Sequence, residues 1–282
     1  MSASERLVAA GEELPVISEP AAMFHDLASK VPKLEIFLKK MSHRPLRVAT
    51  MCSGTESPLL ALDKIADATE KLFGSRLNVE HVFSCEIEPF KQAYIERNFS
   101  PPILFRDIRE LKEKQAYTAY GALVDVPGNV DILVAGTSCV DYSNLNNEQK
   151  GLNEQGESGQ TFRGMKAWIM RCKPPVVILE NVCGAPWQQI VDDFASFGYT
   201  ADFLRLDTKR YYIPHTRTRV YLLAVLGDDD EGVLAQWKEV VKQLERPSSS
   251  SLEAFLFDTD DPRVNQGRQA LALPGVKNTR AA

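Results

Sequence analysis

Two continuous apolar runs, VDILVAGT at 130–137 and PVVILENV at 175–182, constrain this chain more than any other feature. A strand with one wet face alternates apolar and polar residues. A run that is apolar throughout is buried on both faces, as in a parallel sheet covered by helices. LRVATM (46–51) and VEHVFSCEI (79–87) give two earlier strands. A helical stretch follows each, carrying Leu59, Leu60, Leu62 and Ile65 after the first and Phe90, Tyr94 and Ile95 after the second. This β-α-β-α alternation predicts an α/β fold with a mostly parallel, doubly wound sheet. FGYTADFLRLDTKRYYIPHTRTRVYLLAV (197–225) breaks the pattern, joining two strand-like segments by a basic connection with no helix. The sheet is therefore expected to end in an antiparallel hairpin.

Residues 1–18 read as a loose lead-in, and short helices are expected from Pro20 and after Pro32, since proline suits a first helical turn. Phe24, Leu27, Val31, Leu34, Leu38 and Met41 recur at helical spacing and read as a stripe covering the core. Past Gly227 the chain turns polar, with one amphipathic helix near 232–244 and a linker or tail over 246–282. The organisation expected is thus a lead-in over 1–45, a core domain over 46–227, and a helix with polar tail over 228–282.

A net charge of −5 gives no global attraction to a polyanion, so any nucleic-acid surface must be a local basic patch. The five cysteines (52, 85, 139, 172 and 183) show no metal-ligand spacing, so no metal is expected and a reduced intracellular setting is the simplest reading. No apolar run has the length of a membrane span, and MSASER lacks a signal-peptide profile, which predicts a soluble nuclear or cytosolic protein.

Ligands of doubly wound sheets bind at the carboxyl ends of the strands. The residues falling there are Ser53-Gly54-Thr55-Glu56, then Glu86, Asp107, Thr137-Ser138-Cys139 and Glu180-Asn181. The single glycine of the first turn is not the GxGxxG of a dinucleotide site, which points to a cofactor without a pyrophosphate. Glu86 suits ribose hydroxyls; its plainer alternative is a solvated strand end. Cys139, at a strand end next to an expected helix N-terminus, is placed for activation as a thiolate; its alternative is a small buried core residue. Consecutive parallel strands are usually neighbours, so Cys139 and Glu180 are expected to share one cleft. Arg205, Lys209, Arg210, Arg217 and Arg219 supply a local basic patch, or else a solvated hairpin edge.

In this order the segments resemble the cytosine-5 DNA methyltransferases over roughly residues 46–226. RVATMCSGTESPLLAL is similar to the family's cofactor turn, FSCEIEPFKQAYIERNF to its ribose-binding segment, and RDIREL to the segment whose aspartate reads the adenine amine. AGTSCVDYSNLN stands at its nucleophile loop, GQTF (159–162) at a cofactor-contacting turn, LENV at its Glu-Asn-Val signature, and HTRTRVYLLAV at its arginine hairpin. The wording of SGTESPLLAL and GTSCVDYSNLN resembles a eukaryotic maintenance-type branch. The resemblance implies a Rossmann-like fold, S-adenosyl-L-methionine as methyl donor (leaving S-adenosyl-L-homocysteine), DNA as partner and a nuclear location. It implies Ser53, Gly54, Thr55, Glu56, Glu86, Ile87, Asp107, Ile108, Gly136 and Thr161 as cofactor contacts. Cys139 becomes the nucleophile, with Glu180, Arg217 and Arg219 in catalysis and Asn181, Ser143 and Arg210 against the substrate.

The sequence also departs from the family. Ser138 precedes the cysteine where proline is usual, Val140 replaces glutamine, and His215 replaces the glutamine of the hairpin motif. The stretch past Gly227 is expected to be too short for a target-recognition domain and a Gly-Asn-x-Val segment, so a partner chain or further domain is expected to supply target recognition. Four alternatives stand beside this reading: an inactive methyltransferase-like binding protein, a tRNA cytosine-5 methyltransferase, a thiol hydrolase pairing Cys139 with His215, and a nicotinamide oxidoreductase. The missing glycines disfavour the last.

Overall fold

The computed structural model describes residues 14–142, 150–230 and 232–272, with backbone only at 271 and 272. In chain order the first elements are α1 (Pro20–Lys30), α2 (Leu34–Met41), β1 (Leu46–Met51), α3 (Ser57–Phe73), β2 (Val79–Cys85), α4 (Pro89–Phe99) and β3 (Leu104–Phe105). A 3-10 turn at Ile108–Glu110 precedes β4 (Gln115–Tyr117), β5 (Leu123–Asp125) and β6 (Ile132–Ala135). Then come α5 (Glu157–Cys172), β7 (Val176–Asn181), α6 (Trp187–Ser196), β8 (Tyr199–Asp207), β9 (Thr218–Leu226), α7 (Val233–Gln243) and α8 (Pro262–Ala272). Proline opens α1, α3 and α4, where its missing N–H is harmless because first-turn amides lack an intrahelical acceptor.

Seven strands form one sheet in the order β3-β2-β1-β6-β7-β9-β8. The first five pair in parallel; β9 runs antiparallel to both β7 and β8. The expected doubly wound sheet with a terminal hairpin is therefore what the chain builds. From β1 the chain winds outward to β3 and then returns to β6 on the other side of β1. The β1/β6 boundary is the switch point, where the connecting loops part and leave a crevice.

The core follows from the apolar strands. Trp168 of α5 is fully buried, its ring 5.6 Å from Phe83 of β2, and Phe83 lies 5.5 Å from Phe105 of β3, both pairs edge-to-face. Trp187, Ile190 and Phe194 of α6 join the same cluster, while Leu38, Ala66 and Leu77 form a separate one beside α2 and α3. Among the described residues no helix is long and apolar enough to cross a membrane.

Three expectations change. The N-terminal stripe is only partly right: Leu38 is buried, but Phe24, Leu27, Val31, Leu34 and Met41 are half-buried, and Met23 and Ala28 carry the seal of α1. The small β4–β5 hairpin was not read from the sequence, because its three-residue strands are too short to show a period. The chain from 246 is not simply a tail. Arg246 is 7% exposed and its guanidinium donates to the Pro15 carbonyl at 2.7 Å and to Ser249 Oγ at 3.0 Å. That contact also ties down the end of the supposedly loose lead-in.

Gly164 seats α5 against the 3-10 turn. A Cβ there would stand 2.9 Å from the Ile108 carbonyl oxygen and 3.2 Å from the Arg109 Cα, both backbone atoms that cannot swing aside. Gly164→Ala is expected to destabilise the fold by about 1–3 kcal/mol, the cost of overpacking a close interface. A thermal melt superimposable on the wild type would show that the contact yields more easily than this geometry allows.

Candidate active site

The turn after β1 carries three residues in the left-handed region, Cys52 (φ 52°), Gly54 (φ 58°) and Glu56 (φ 55°). Its path is set by β2. Ser53 N and Oγ both donate to the Cys85 carbonyl, at 3.1 and 3.3 Å, and Gly54 N donates to Glu86 Oε2 at 2.7 Å. The other Glu86 oxygen accepts from Ile87 N and Glu88 N, both at 3.0 Å, with Lys91 Nζ 3.9 Å away. Glu86 is 4% exposed, so it is neither a solvated strand end nor a free carboxylate: it fastens two strand ends together. Open space lies beyond Gly54, where a Cβ would meet nothing within 4 Å, and Ile87 stands 56% exposed beside it.

Asp107 follows β3. Burial pushes its carboxyl upward, but Arg109 more than reverses this, donating from its backbone N at 2.9 Å, from Nε at 2.9 and 3.0 Å, and from a terminal nitrogen at 2.5 Å. The carboxyl ends below the usual range. Arg109 also donates to Gln160 Oε1 at 3.1 Å, linking this corner to the first turns of α5.

Across the switch point, Gly136 N donates to the Met51 carbonyl at 3.1 Å; a Cβ on it would stand 3.7 Å from Glu180 Oε2 and 3.8 Å from the Cys52 carbonyl oxygen. Gly136 thus lies between the β1 turn and the Glu180 carboxylate. The loop carrying Cys139 is held from both sides. Asn181 donates to the Thr137 carbonyl at 2.9 Å and Thr137 Oγ1 at 3.1 Å. Ser138 donates to Glu157 Oε1 at 2.7 Å, and buried Asp141 accepts from Ser158 N at 2.7 Å. Cys139 is half-buried, and its carbonyl accepts from Tyr142 N at 3.0 Å.

Glu180 pairs in register with Tyr221, which places Glu180, Tyr221 and Arg219 on one face of the β7–β9 ladder. Arg219 Nε lies 3.3 Å from Glu180 Oε1. Burial raises the Glu180 carboxyl above its usual value, and Arg219, then Arg217, offset this in part. The same two arginines act on Tyr221, which burial and Glu180 push upward.

The Cys139 loop, a partly desolvated acid and two guanidinium groups therefore stand together at the carboxyl edge of β6 and β7 and the start of β9. The model of the C-5 cytosine-specific DNA methylases matches residues 46–272. The chain belongs to that family. It is 59% identical over 262 residues to the DNA (cytosine-5-)-methyltransferase DMT5 of Cryptococcus neoformans var. grubii, covering 93% of this chain and 11% of that protein. DMT5 of Verticillium dahliae is 35% identical over 288 residues, covering 78% of this chain and 12% of its own length. The type II methyltransferase M.HaeII of Haemophilus aegyptius is 29% identical over 175 residues, or 58% of this chain and 50% of that enzyme. The chain thus spans about a tenth of the length of the two fungal proteins.

In this methylase-family chain, Ser53, Gly54, Thr55, Glu86, Ile87, Asp107 and Gly136 do gather at the carboxyl edge of β1, β2, β3 and β6. Several other expectations are corrected. Glu56 is fully buried and points inward, accepting hydroxyl bonds from Thr50 at 2.7 Å and from Ser84, so it lies beneath the turn and not on its open side. Ile108 is 5% exposed with its side chain in the core, which leaves only its backbone for a ligand. Thr161 is inside α5, not on a turn, and its hydroxyl donates to the Ser158 carbonyl at 3.0 Å. Asn181, 3% exposed, spends its amide on the Cys139 loop and so positions that loop instead of facing a substrate. Arg210 is paired with Glu245. Among the described residues no helix starts beside Cys139: residues 140–142 form a turn, and Ser143 lies outside the described residues. Cys52 and Cys85 do not compete as nucleophiles, since burial, then Glu86, holds Cys52 up at about 12, and burial raises Cys85 as well.

Sequence reasoning missed Arg109, Gln160 and Tyr221. Each had a signal: Arg109 and Gln160 lie inside RDIREL and GQTF, and Tyr221 stands two residues from Arg219 on the same strand face. A cavity of about 530 Å³ lined by Leu59, Leu62, Ala66, Leu77, Val79 and Phe99 contains none of the candidate residues. Converging ionisable groups, not cavity size, locate the site.

Glu56 carries a stability prediction. Burial raises its carboxyl above the usual 4.5, hydroxyls of Ser84 and Thr50 lower it in part, and Oε2 has no partner. The ionised form is therefore the unfavourable one in the fold. The stability of the neutral form is intact below 4.5 and is lost as pH rises through the raised folded value. Glu56→Gln is expected to melt higher relative to wild type at pH 8 than at pH 4. A Tm difference that does not change with pH would contradict it.

Proposed function

We propose that this chain methylates C5 of cytosine in DNA, through a covalent bond from Cys139 Sγ to C6 of the base. The observation that carries the reading is the placement of Glu180 between Gly136 and Arg219, at the switch point that also bears Cys139. The family and its DNA-methylating relatives support it.

The donor set suits S-adenosyl-L-methionine. Glu86, Glu157 and Asp107 all act on Cys52, while Lys91 and the Asp107 partner Arg109 oppose them. An acidic excess of this kind disfavours a pyrophosphate and suits a cation. Glu86 and the amides it organises would hold the ribose, with Asp107 and the Ile108 backbone at the adenine and Ile87 against the ring. When bound, the cofactor supplies a methyl group on a positive sulfonium.

Cytosine C5 is a weak nucleophile. Attack of the Cys139 thiolate on C6 forms the S–C6 bond and moves an electron pair towards N3 and O2. Glu180 shares a proton with N3 and accepts from the exocyclic amine, while Arg219 donates to O2 with Arg217 beside it. C5 is then an enamine carbon able to take a methyl group. Loss of the C5 proton restores the 5,6 double bond and expels Cys139. Because C5 is stacked inside a duplex, the base must leave the helix, at about a few kcal/mol. Among the described residues Arg205, Lys209 and Arg217 make no ion pair, which leaves them for phosphates. Action on chromosomal DNA carries a nuclear location with it.

The test is covalent trapping. Duplex DNA containing 5-fluorocytosine, incubated with the protein and S-adenosyl-L-methionine, should yield an adduct that survives denaturation, because fluorine cannot leave as the C5 proton does. The same incubation with a tRNA substrate separates the two nucleic acids. Adduct on RNA but not on DNA would overturn the substrate assignment.

A further inference from the structure

The loop between β8 and β9 carries Arg217 and is anchored by one residue that the mechanism does not use. Tyr212 has a φ of 66° and is 1% exposed. An aromatic residue in the left-handed region is strained and persists only where its surroundings over-determine it. Here they do. Tyr212 N donates to the Arg246 carbonyl at 2.8 Å, and Arg246 N donates to the Arg210 carbonyl at 2.8 Å, so the loop and the segment after α7 hold each other by the backbone. The Tyr212 hydroxyl donates to Asp26 of α1, and the Arg246 guanidinium lies over the Tyr212 ring at 5.3 Å and within 3.9 Å of Asp26. Arg246 in turn holds Pro15.

The far end of the loop is closed separately: Asp207 Oδ1 accepts from Arg217 N at 3.2 Å, and the Thr208 hydroxyl donates to the His215 carbonyl. Between these two fastenings the backbone of Arg217 has little freedom. α1 packs on α3, the helix that begins at the cofactor turn. One continuous set of contacts therefore runs from the N-terminal helix to the arginine hairpin.

We propose that Tyr212 is a positioning residue which, with Asp26 and Arg246, clamps the hairpin loop so that Arg217 and Arg219 stand over Glu180, making the grip on DNA dependent on the N-terminal helix. This rests on the proposed role of the hairpin in holding DNA. Ordinary core packing explains neither the strained backbone nor the convergence of three segments far apart in sequence on one carboxylate, that of Asp26.

The experiment uses the full chain with Tyr212→Phe, Asp26→Asn, the double variant, and Arg217→Ala as reference. Binding of a fluorescein-labelled cytosine-containing duplex is read by anisotropy, binding of S-adenosyl-L-homocysteine by calorimetry, and folding by thermal melting. Each single variant should weaken DNA binding roughly three- to tenfold, and the double no more than the larger single, as for two residues acting through one contact. Cofactor-product binding should stay at the wild-type value. If Arg217→Ala weakens DNA binding while Tyr212→Phe and Asp26→Asn do not, the clamp is overturned. Equal losses of DNA and cofactor-product binding would reduce Tyr212 to a merely structural role and overturn it too. If Arg217→Ala itself leaves DNA binding unchanged, the hairpin is not the DNA grip, and the clamp falls with that reading.

Discussion

Cys139→Ala is expected to abolish the denaturation-resistant adduct with 5-fluorocytosine DNA and all detectable methyl transfer, while S-adenosyl-L-homocysteine still binds with wild-type affinity. The first effect follows because two neighbours of the Cys139 loop are poor replacements for its thiol. Cys52 is held protonated by burial, and the Ser138 hydroxyl donates to Glu157. The second follows from geometry. Cys139 belongs to the β6 loop, whereas Glu86 and Gly54, which shape the proposed cofactor cradle, are fastened to each other across β1 and β2. The fold should tolerate the change, since Cys139 is half-buried and its loop is held through Asn181, Ser138 and Asp141. Residual adduct in the alanine variant, mapped to another residue by peptide mass analysis, would move the nucleophile elsewhere.

Glu180→Gln is expected to lower the rate of methyl transfer by about a hundred- to a thousandfold, the usual loss when a group that stabilises developing charge is removed. Glutamine keeps the shape, still accepts from the exocyclic amine and can donate an N–H to N3, but it cannot transfer a proton to it. The electron pair released by thiol addition is then left uncompensated. Loss of stability does not explain the deficit. Burial, only partly offset by Arg219 and Arg217, holds the Glu180 carboxyl above its usual value, so ionisation is unfavourable in the fold. Stability associated with the neutral form is complete below the unfolded value and falls away as pH rises through the folded one. The glutamine variant should therefore melt no lower than wild type at pH 8, although it is nearly inactive. A fall in Tm matching the fall in rate would make Glu180 a structural partner of Arg219 and nothing more.

The sequence by itself determined the architecture. Two runs apolar through their middles, 132–135 and 176–179, satisfy their burial in a parallel sheet covered on both faces, and the helix-free connection between 207 and 218 makes the last pair antiparallel. It also determined which residues stand at the carboxyl edge, because strand ends were readable to within about two residues from where the apolar runs stop. What it left open was the direction and occupation of each side chain there. Glu56 stood among the expected cofactor contacts of the first turn, yet its left-handed backbone turns it under the strand towards Thr50 and Ser84. Asp107 stood among the expected cofactor contacts, and Arg109 two residues on donates to both of its oxygens. Asn181 looked like a substrate contact, and its amide instead holds the Cys139 loop across a gap of 44 residues. Arg246 looked like part of a linker, and it closes over Tyr212 and Pro15. Periodicity is a local property and survives in the sequence, since each strand or helix expresses it alone. The partner of a polar side chain is decided by which distant segment the folded chain brings within 3 Å, and only the tertiary structure could settle that.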